Sequence, residues 1–281
     1  MRTVAALAIA ALLAPALAGC LSAFESSPRP ALRVSTTTSL ENSGLLASIV
    51  PVFEQARGID VRVRALGTGL ALEDAKRGNA DVLLTHAPAL EEAFVAQGFG
   101  TGRHVFARNG FLIVGPSGDG VRVAGLDAPA AMAALAQAGA PFVSRGDGSG
   151  THARERELWA LSGLDYDREV VPAPWYRLVG QGMGATLRIA SELSAYTLVD
   201  EATYHSYRSA LALVVHVQGG EALTNVYSAL PVDASRVPGV NSEAAGAFVE
   251  WLLSAEGRAA VETFAVDGRP LFRAGASGGG A

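Results

Sequence analysis

The sequence predicts an α/β protein of two lobes joined by a hinge, with a ligand cleft between them. Three observations carry this. Apolar strand-like runs alternate with helix-like runs along most of the 281 residues, the pattern of an α/β sheet. Four of the turns that join strand to helix are built from Thr, Ser and Gly: TTTS at 36–39, GTG at 67–69, SRGDGSGT at 144–151 and GQGMG at 180–184. Two lie early and two in the middle. A chain that builds one lobe, crosses into a second and returns would set them face to face, and a ligand there would draw the lobes together about a hinge. Turns at the carboxyl ends of such strands are where ligands bind.

The elements follow in order. Leu32 to Val34 begins a short strand, and TTTS reads as a polar turn. Asn42 and Ser43 are helix-capping types, and Leu45, Leu46, Ile49, Val52 and Phe53 recur at helical spacing. Pro51 lies inside that helix and predicts a kink, and Gly58 ends it. Residues 59–66 alternate apolar with charged side chains, as a half-buried strand does. GTG opens a helix through Lys76, and DVLLTHAP (81–88) is a buried strand ending in a turn. A strand at 111–115, a helix at 128–137 and a strand at 141–143 lead into SRGDGSGT. YRLVG (176–180) and TLRIASEL (186–193) repeat the strand–loop–helix unit. Strands follow at 195–199, 211–217 and 227–231, with a helix at 243–253. The alternation implies parallel strands.

SRGDGSGT, followed at once by the helix-like HARERELWAL, carries the most chemistry. Glycines at 146, 148 and 150 allow the backbone to approach a bound group with no Cβ in the way. Ser149 and Thr151 can cap the helix or point a hydroxyl at a guest. Helix-start N–H groups carry partial positive charge, and Arg145 adds a full one. Together these suit a small oxyanion. A plain Gly-rich turn with a capping Ser is the alternative that the segment alone leaves open.

Composition bounds the partners. The chain is 49% hydrophobic and 17% charged, hence globular, and its net charge of −5 argues against nucleic acid. Arg2, the apolar run 4–17 and LAGC at 17–20 read as a secretory signal. LAGC also resembles the lipobox of bacterial lipoproteins, which implies a lipid on Cys20, the chain's one cysteine. No internal disulfide can form. Residues 1–19 are thus a signal peptide, 20–31 a lipid-anchored Ser/Pro linker and 273–281 a flexible Gly/Ala/Ser tail.

TTTS, VRALGTGLAL, DVLLTHAP, FVSRGDGSGTH, GQGMGATL, AYTLVDEATY and WLLSAEGR occur in this order. Together they resemble the tungstate-binding, substrate-binding proteins of bacterial ABC importers, over residues 33–272. The resemblance implies a periplasmic-binding-protein fold, with lobe I at 32–112 plus 218–272 and lobe II at 113–217. It implies a monomer tethered in the periplasm or at the cell surface, which binds tungstate or molybdate, uses no cofactor or cationic metal, and hands its cargo to a permease and ATPase. It assigns the site to Thr37, Thr38, Ser39, Thr68, Arg145, Ser149, Gly150 and Thr151, with backbone N–H groups of Met183 and Gly184. Two positions depart from the family pattern: Ala87 stands where an acidic residue is usual, and Glu201 where a basic one is.

Tungstate and molybdate are unprotonated dianions, so their site should offer donors only. Hydroxyls, backbone N–H and one Arg satisfy this. Phosphate is the rival ligand, because RGDGSGT also resembles the corresponding stretch of phosphate-binding proteins. A phosphate site needs an acceptor for the ligand's proton, and Asp147 could provide it or could steady Arg145. An enzyme, a hydrolase for example, is the rival class. Ser149, His152 and Asp147 are triad residue types, but they crowd within six positions and no G-x-S-x-G surrounds Ser149. The five His (86, 104, 152, 205, 216) lack metal-ligand spacing. RGD at 145–147 reads as a chance tripeptide. Trp175 and Tyr176, entering a strand, read as core, with a cleft-lining role as the alternative.

Overall fold

The computed structural model describes residues 29–275. The signal peptide, the lipobox with Cys20 and most of the linker and tail lie outside the described residues. Strand β1 (Ala31–Thr37) runs straight into helix α1 (Thr38–Asn42). TTTS is therefore not a turn. Thr36 and Thr37 end the strand, and Thr37 caps the helix by accepting the Leu40 N–H. Ala31, placed in the linker by sequence, is already paired with Asp60. Ser43 Oγ accepts the Leu45 N–H at the start of α2 (Leu45–Arg57), while Asn42 lies inside α1. Gly58 at φ +65° closes α2. Strand β2 (Asp60–Leu66), helix α3 (Thr68–Lys76) and strand β3 (Val82–Thr85) follow as the periodicity predicts.

Helix α4 (Pro88–Ala96) was not legible in the apolar pattern. It is followed by β4 (His104–Pro116), thirteen residues long, of which the sequence showed only the second half. Next come α5 (Ala128–Ala138), β5 (Phe142–Ser144), α6 (Gly150–Leu161), β6 (Tyr176–Leu178), α7 (Met183–Glu192) and β7 (Thr197–Asp200). Helix α8 (Glu201–Tyr207) leads through β8 (Leu213–Gln218) to β9 (Thr224–Pro231), then α9 (Ser242–Leu253) and α10 (Ala255–Thr263). A small hairpin of β10 (Ala265–Val266) and β11 (Arg269–Pro270) precedes β12 (Arg273–Ala274). The last pairs with Arg108 and Ala107 of β4, so these two residues belong to the sheet rather than to a flexible tail.

The sheet is mixed, which corrects the parallel expectation. β1 is parallel to β2 and β3, and β5 is parallel to β6. β9, however, is antiparallel to both β3 and β4. The cause is the crossing of the chain between lobes. The first half of β4 pairs with β9, and its second half pairs with β7 and β8. β4 thus carries the chain from lobe I into lobe II, and residues 219–223 carry it back. The cores divide accordingly. Leu32, Phe53, Phe248 and Trp251 anchor one in lobe I, and Met132, Phe142, Trp159 and Tyr176 anchor one in lobe II. Trp175 packs against the latter and Tyr176 is buried in it, as core residues.

Candidate functional site

The hydroxyl- and glycine-rich loops converge where the two lobes meet. Gly146 sits at φ +60°, and a Cβ there would come within 2.7 Å of Leu178 Cδ2, so this turn tolerates only glycine. The turn delivers Arg145 to the interface with 1% of its surface exposed. Its Nη2 donates to Thr38 Oγ1 of lobe I (3.0 Å) and to Asp147 Oδ2 (2.6 Å), and Nη1 lies 3.4 Å from Thr151 Oγ1. Its Nε is buried with no protein partner. Asp147 has its second oxygen occupied as well, accepting the Ser149 N–H (3.1 Å). Both carboxylate oxygens therefore serve the loop and its cation, one of the two roles the sequence leaves open for Asp147.

Ser149 caps α6 by accepting the His152 N–H (3.3 Å). Gly150 N–H, at the first turn of α6, donates across the interface to Thr68 Oγ1 (2.9 Å). Thr68, Ser149 and Thr151 are all buried. Helix α7 starts with Gly182 in the capping position and no side-chain cap, so its first N–H groups, Met183 and Gly184 among them, have no intrahelical partner. That helix start faces Thr38, whose Oγ1 lies 3.6 Å from where a Gly182 Cβ would be. The Met183 side chain itself is core. Gly184 packs against Tyr207, whose ring would have to move to admit a Cβ, since that atom would sit 2.7 Å from it. Thr38, Thr68, Arg145, Ser149, Gly150, Thr151, Met183 and Gly184 thus fall around one interface, with Thr37 and Ser39 next to Thr38 at the junction of β1 and α1. A cavity of about 250 Å³ lined by Thr38, Gly182, Gly184, Arg188 and Tyr207 opens beside it. A larger one, about 530 Å³, lies beside Trp175 and Phe142, but no buried charge lines it.

Sequence reasoning missed the residues beneath TTTS. Ser39 Oγ lies 2.8 Å from His86 Nε2, and His86 Nδ1 lies 3.0 Å from Asn225 Oδ1. Thr203 Oγ1 donates to the Ser39 carbonyl (3.2 Å). Complete burial pushes His86 down to about 4, so its ring is neutral near pH 7. Asp200 caps α8 and is pushed up to about 6 by burial. The signal for His86 was present. THAP is a polar turn at the carboxyl end of a buried strand, like the loops that were singled out. Ala87 caps α4, its N–H held by Glu91 Oε1 (2.8 Å), and Glu201 lines a cavity near Gly110 and Gly219. Neither departure from the family pattern falls among the donor groups.

The triad types do not form a relay. His152 Nδ1 accepts the Gly148 N–H (3.0 Å) and Nε2 bonds Tyr166 OH (2.8 Å), so the ring is committed away from Ser149. The RGD tripeptide has its Arg buried and cannot present it to a partner. No cluster of metal-ligating side chains occurs among the described residues, and no helix among them is long and apolar enough to cross a membrane.

Known proteins share this fold. The family model of the PBP superfamily domain matches residues 23–256. The tungstate-binding protein TupA of Peptoclostridium acidaminophilum is 37% identical over 275 residues, covering 93% of this chain and 94% of its own. Among solved structures, the tungstate-binding protein TupA from Desulfovibrio alaskensis G20 superposes with a TM-score of 0.76 at 40% identity, covering 88% of this chain and 99% of that one. The tungstate ABC transporter structure from Geobacter sulfurreducens gives 0.76 at 39% identity, covering 83% and 98%. The chain belongs to the PBP superfamily and, within it, to the family of the TupA tungstate-binding proteins.

Proposed function

We propose that this chain is the extracytoplasmic substrate-binding protein of an ABC importer, and that it captures tungstate, or molybdate, between its lobes for delivery to a permease and ATPase. One observation carries the reading: a fully buried guanidinium whose Nε has no protein partner, set among hydroxyls and helix-start N–H groups. A buried cation left with a free donor fits an anion, and charge-assisted bonds to it are about twice as strong as neutral ones. An unprotonated tetrahedral dianion needs donors on every side. Asp147 already accepts from Arg145 and Ser149, and the similarity to tungstate-binding proteins supports tungstate over phosphate. The committed His152 ring supports binding and transport rather than hydrolysis. The lipid on Cys20, the monomeric state and the placement at the periplasmic or outer cell surface belong to the same proposal. Calorimetric titration with tungstate, molybdate, sulfate and phosphate at one pH tests it. Tungstate should bind and phosphate should not compete. A preference for phosphate overturns the ligand assignment.

A further inference from the structure

Beneath the TTTS segment a row of hydrogen bonds runs from the cleft into the interior. Leu40 N–H donates to Thr37 Oγ1 (3.2 Å), which lies 3.2 Å from Ser39 Oγ. Ser39 Oγ meets His86 Nε2, and His86 Nδ1 meets Asn225 Oδ1. Asn225 Nδ2 donates to Asn109 Oδ1 (2.9 Å) and to Tyr227 OH (2.8 Å). Ser39, His86 and Asn225 are all buried. The His86 ring is held between lobes. It stacks on Tyr227 at 5.0 Å, and from lobe II the backbone of Gly150 presses so close that a Cβ there would lie 3.0 Å from His86 Cε1.

Because burial keeps the ring neutral, it carries one proton, on Nδ1 or on Nε2. In the arrangement just given, Nδ1–H donates to Asn225 and Nε2 accepts the Ser39 hydroxyl proton. Ser39 then turns lone pairs, not its proton, toward the cleft, and that polarity repels an unprotonated oxyanion. The row has a second polarity. With both amides turned over, Asn109 Nδ2 and Tyr227 OH donate to Asn225 Oδ1, and Asn225 Nδ2 donates to His86 Nδ1. The ring gives up the Nδ1 proton and takes one on Nε2, so its charge is unchanged. Nε2–H donates to Ser39 Oγ, and the Ser39 proton is released toward the cleft. Either polarity leaves one buried atom of Asn109 unpaired, Nδ2 in the first and Oδ1 in the second, so the count of bonds favours neither and the ligand can set the direction.

We infer that His86 is a positioning residue for the ligand: in the loaded protein its neutral ring carries the proton on Nε2, donates to Ser39, and turns the Ser39 hydroxyl proton toward the bound oxyanion. This rests on the reading that the cleft takes an oxyanion. The Ser39 hydroxyl is then a donor to the cleft because the row behind it can reverse.

Nitrogen NMR of 15N-histidine-labelled protein with tungstate added tests it, with the His86 signals assigned by their loss in His86→Gln. A protonated Nε2 and a bare Nδ1 are expected. A proton kept on Nδ1, or carried on both nitrogens, overturns the inference while leaving binding intact. Calorimetry supplies a second arm. His86→Gln, whose amide can donate to Ser39, should hold tungstate affinity within about threefold, whereas His86→Met should lose about tenfold, the worth of one hydrogen bond. A Met variant that binds like the parent also overturns it. Failure of the parent itself to bind tungstate contradicts the cleft reading instead.

Discussion

Arg145 bridges the two lobes by donating to Thr38 while its own loop supplies Asp147 as counter-charge. Replacing it with Ala removes the charge and leaves Asp147 unpaired at the interface. Arg145→Ala should weaken tungstate binding by about 2–5 kcal/mol, the range for truncating one partner of a buried charge pair. Unchanged affinity by calorimetry would remove Arg145 from the site. This residue was legible in sequence because Arg amid Gly, Ser and Asp at a helix start has few structural reasons to be there. Hydroxyl direction was not legible. Whether Ser39 offers a proton or a lone pair depends on His86, 47 residues away in sequence. Thr68 Oγ1 accepts from Gly150 N–H and so ties the lobes together, which leaves its own proton to donate.

Helix α6 links the ligand loop to the core of lobe II. His152, one residue after Thr151, starts a row through Tyr166 OH and Tyr176 OH (3.0 Å apart) to Glu155 Oε1, which also accepts from Trp159 Nε1. Burial pushes the Glu155 carboxyl up to about 7 from 4.5. The folded protein therefore holds a proton there that the unfolded chain has released. The resulting stabilisation is complete below the lower value and is lost as pH rises through the higher one. Asp200 acts in the same direction, whereas His86, pushed down, acts oppositely below its ordinary value of 6.5. Glu155→Gln keeps an acceptor for Tyr176 and Trp159 but cannot ionise. Between about pH 6 and pH 8 its thermal stability should fall less than the parent's, and parallel melting curves would contradict this. Most elements were legible from their periodicity. Those missed have local causes: α8 spans only seven residues, and α10 contains Gly257, a poor helix former. That glycine is needed because a Cβ would collide with the Trp251 carbonyl of α9.

Two lobes, two crossings and one interface were foreseeable from the placement of the Thr/Ser/Gly loops along the chain. Sheet polarity was not, because the antiparallel pairs of β4 and β9 arise from how the chain returns, which no local pattern encodes. Nor does net charge help at this scale. The chain is anionic overall at −5, and at the proposed site the buried guanidinium and helix-start dipoles, rather than the far field, would hold an anion. We place the metal oxyanion at the interface between Thr38, Arg145 and Thr151. Anomalous diffraction at the tungsten edge, from crystals grown with tungstate, tests this most directly. A single tungsten peak between the lobes, with an oxygen in hydrogen-bond reach of Arg145 Nε, is the expected result. Tungsten bound only elsewhere on the protein, with the interface free of it, would contradict the account.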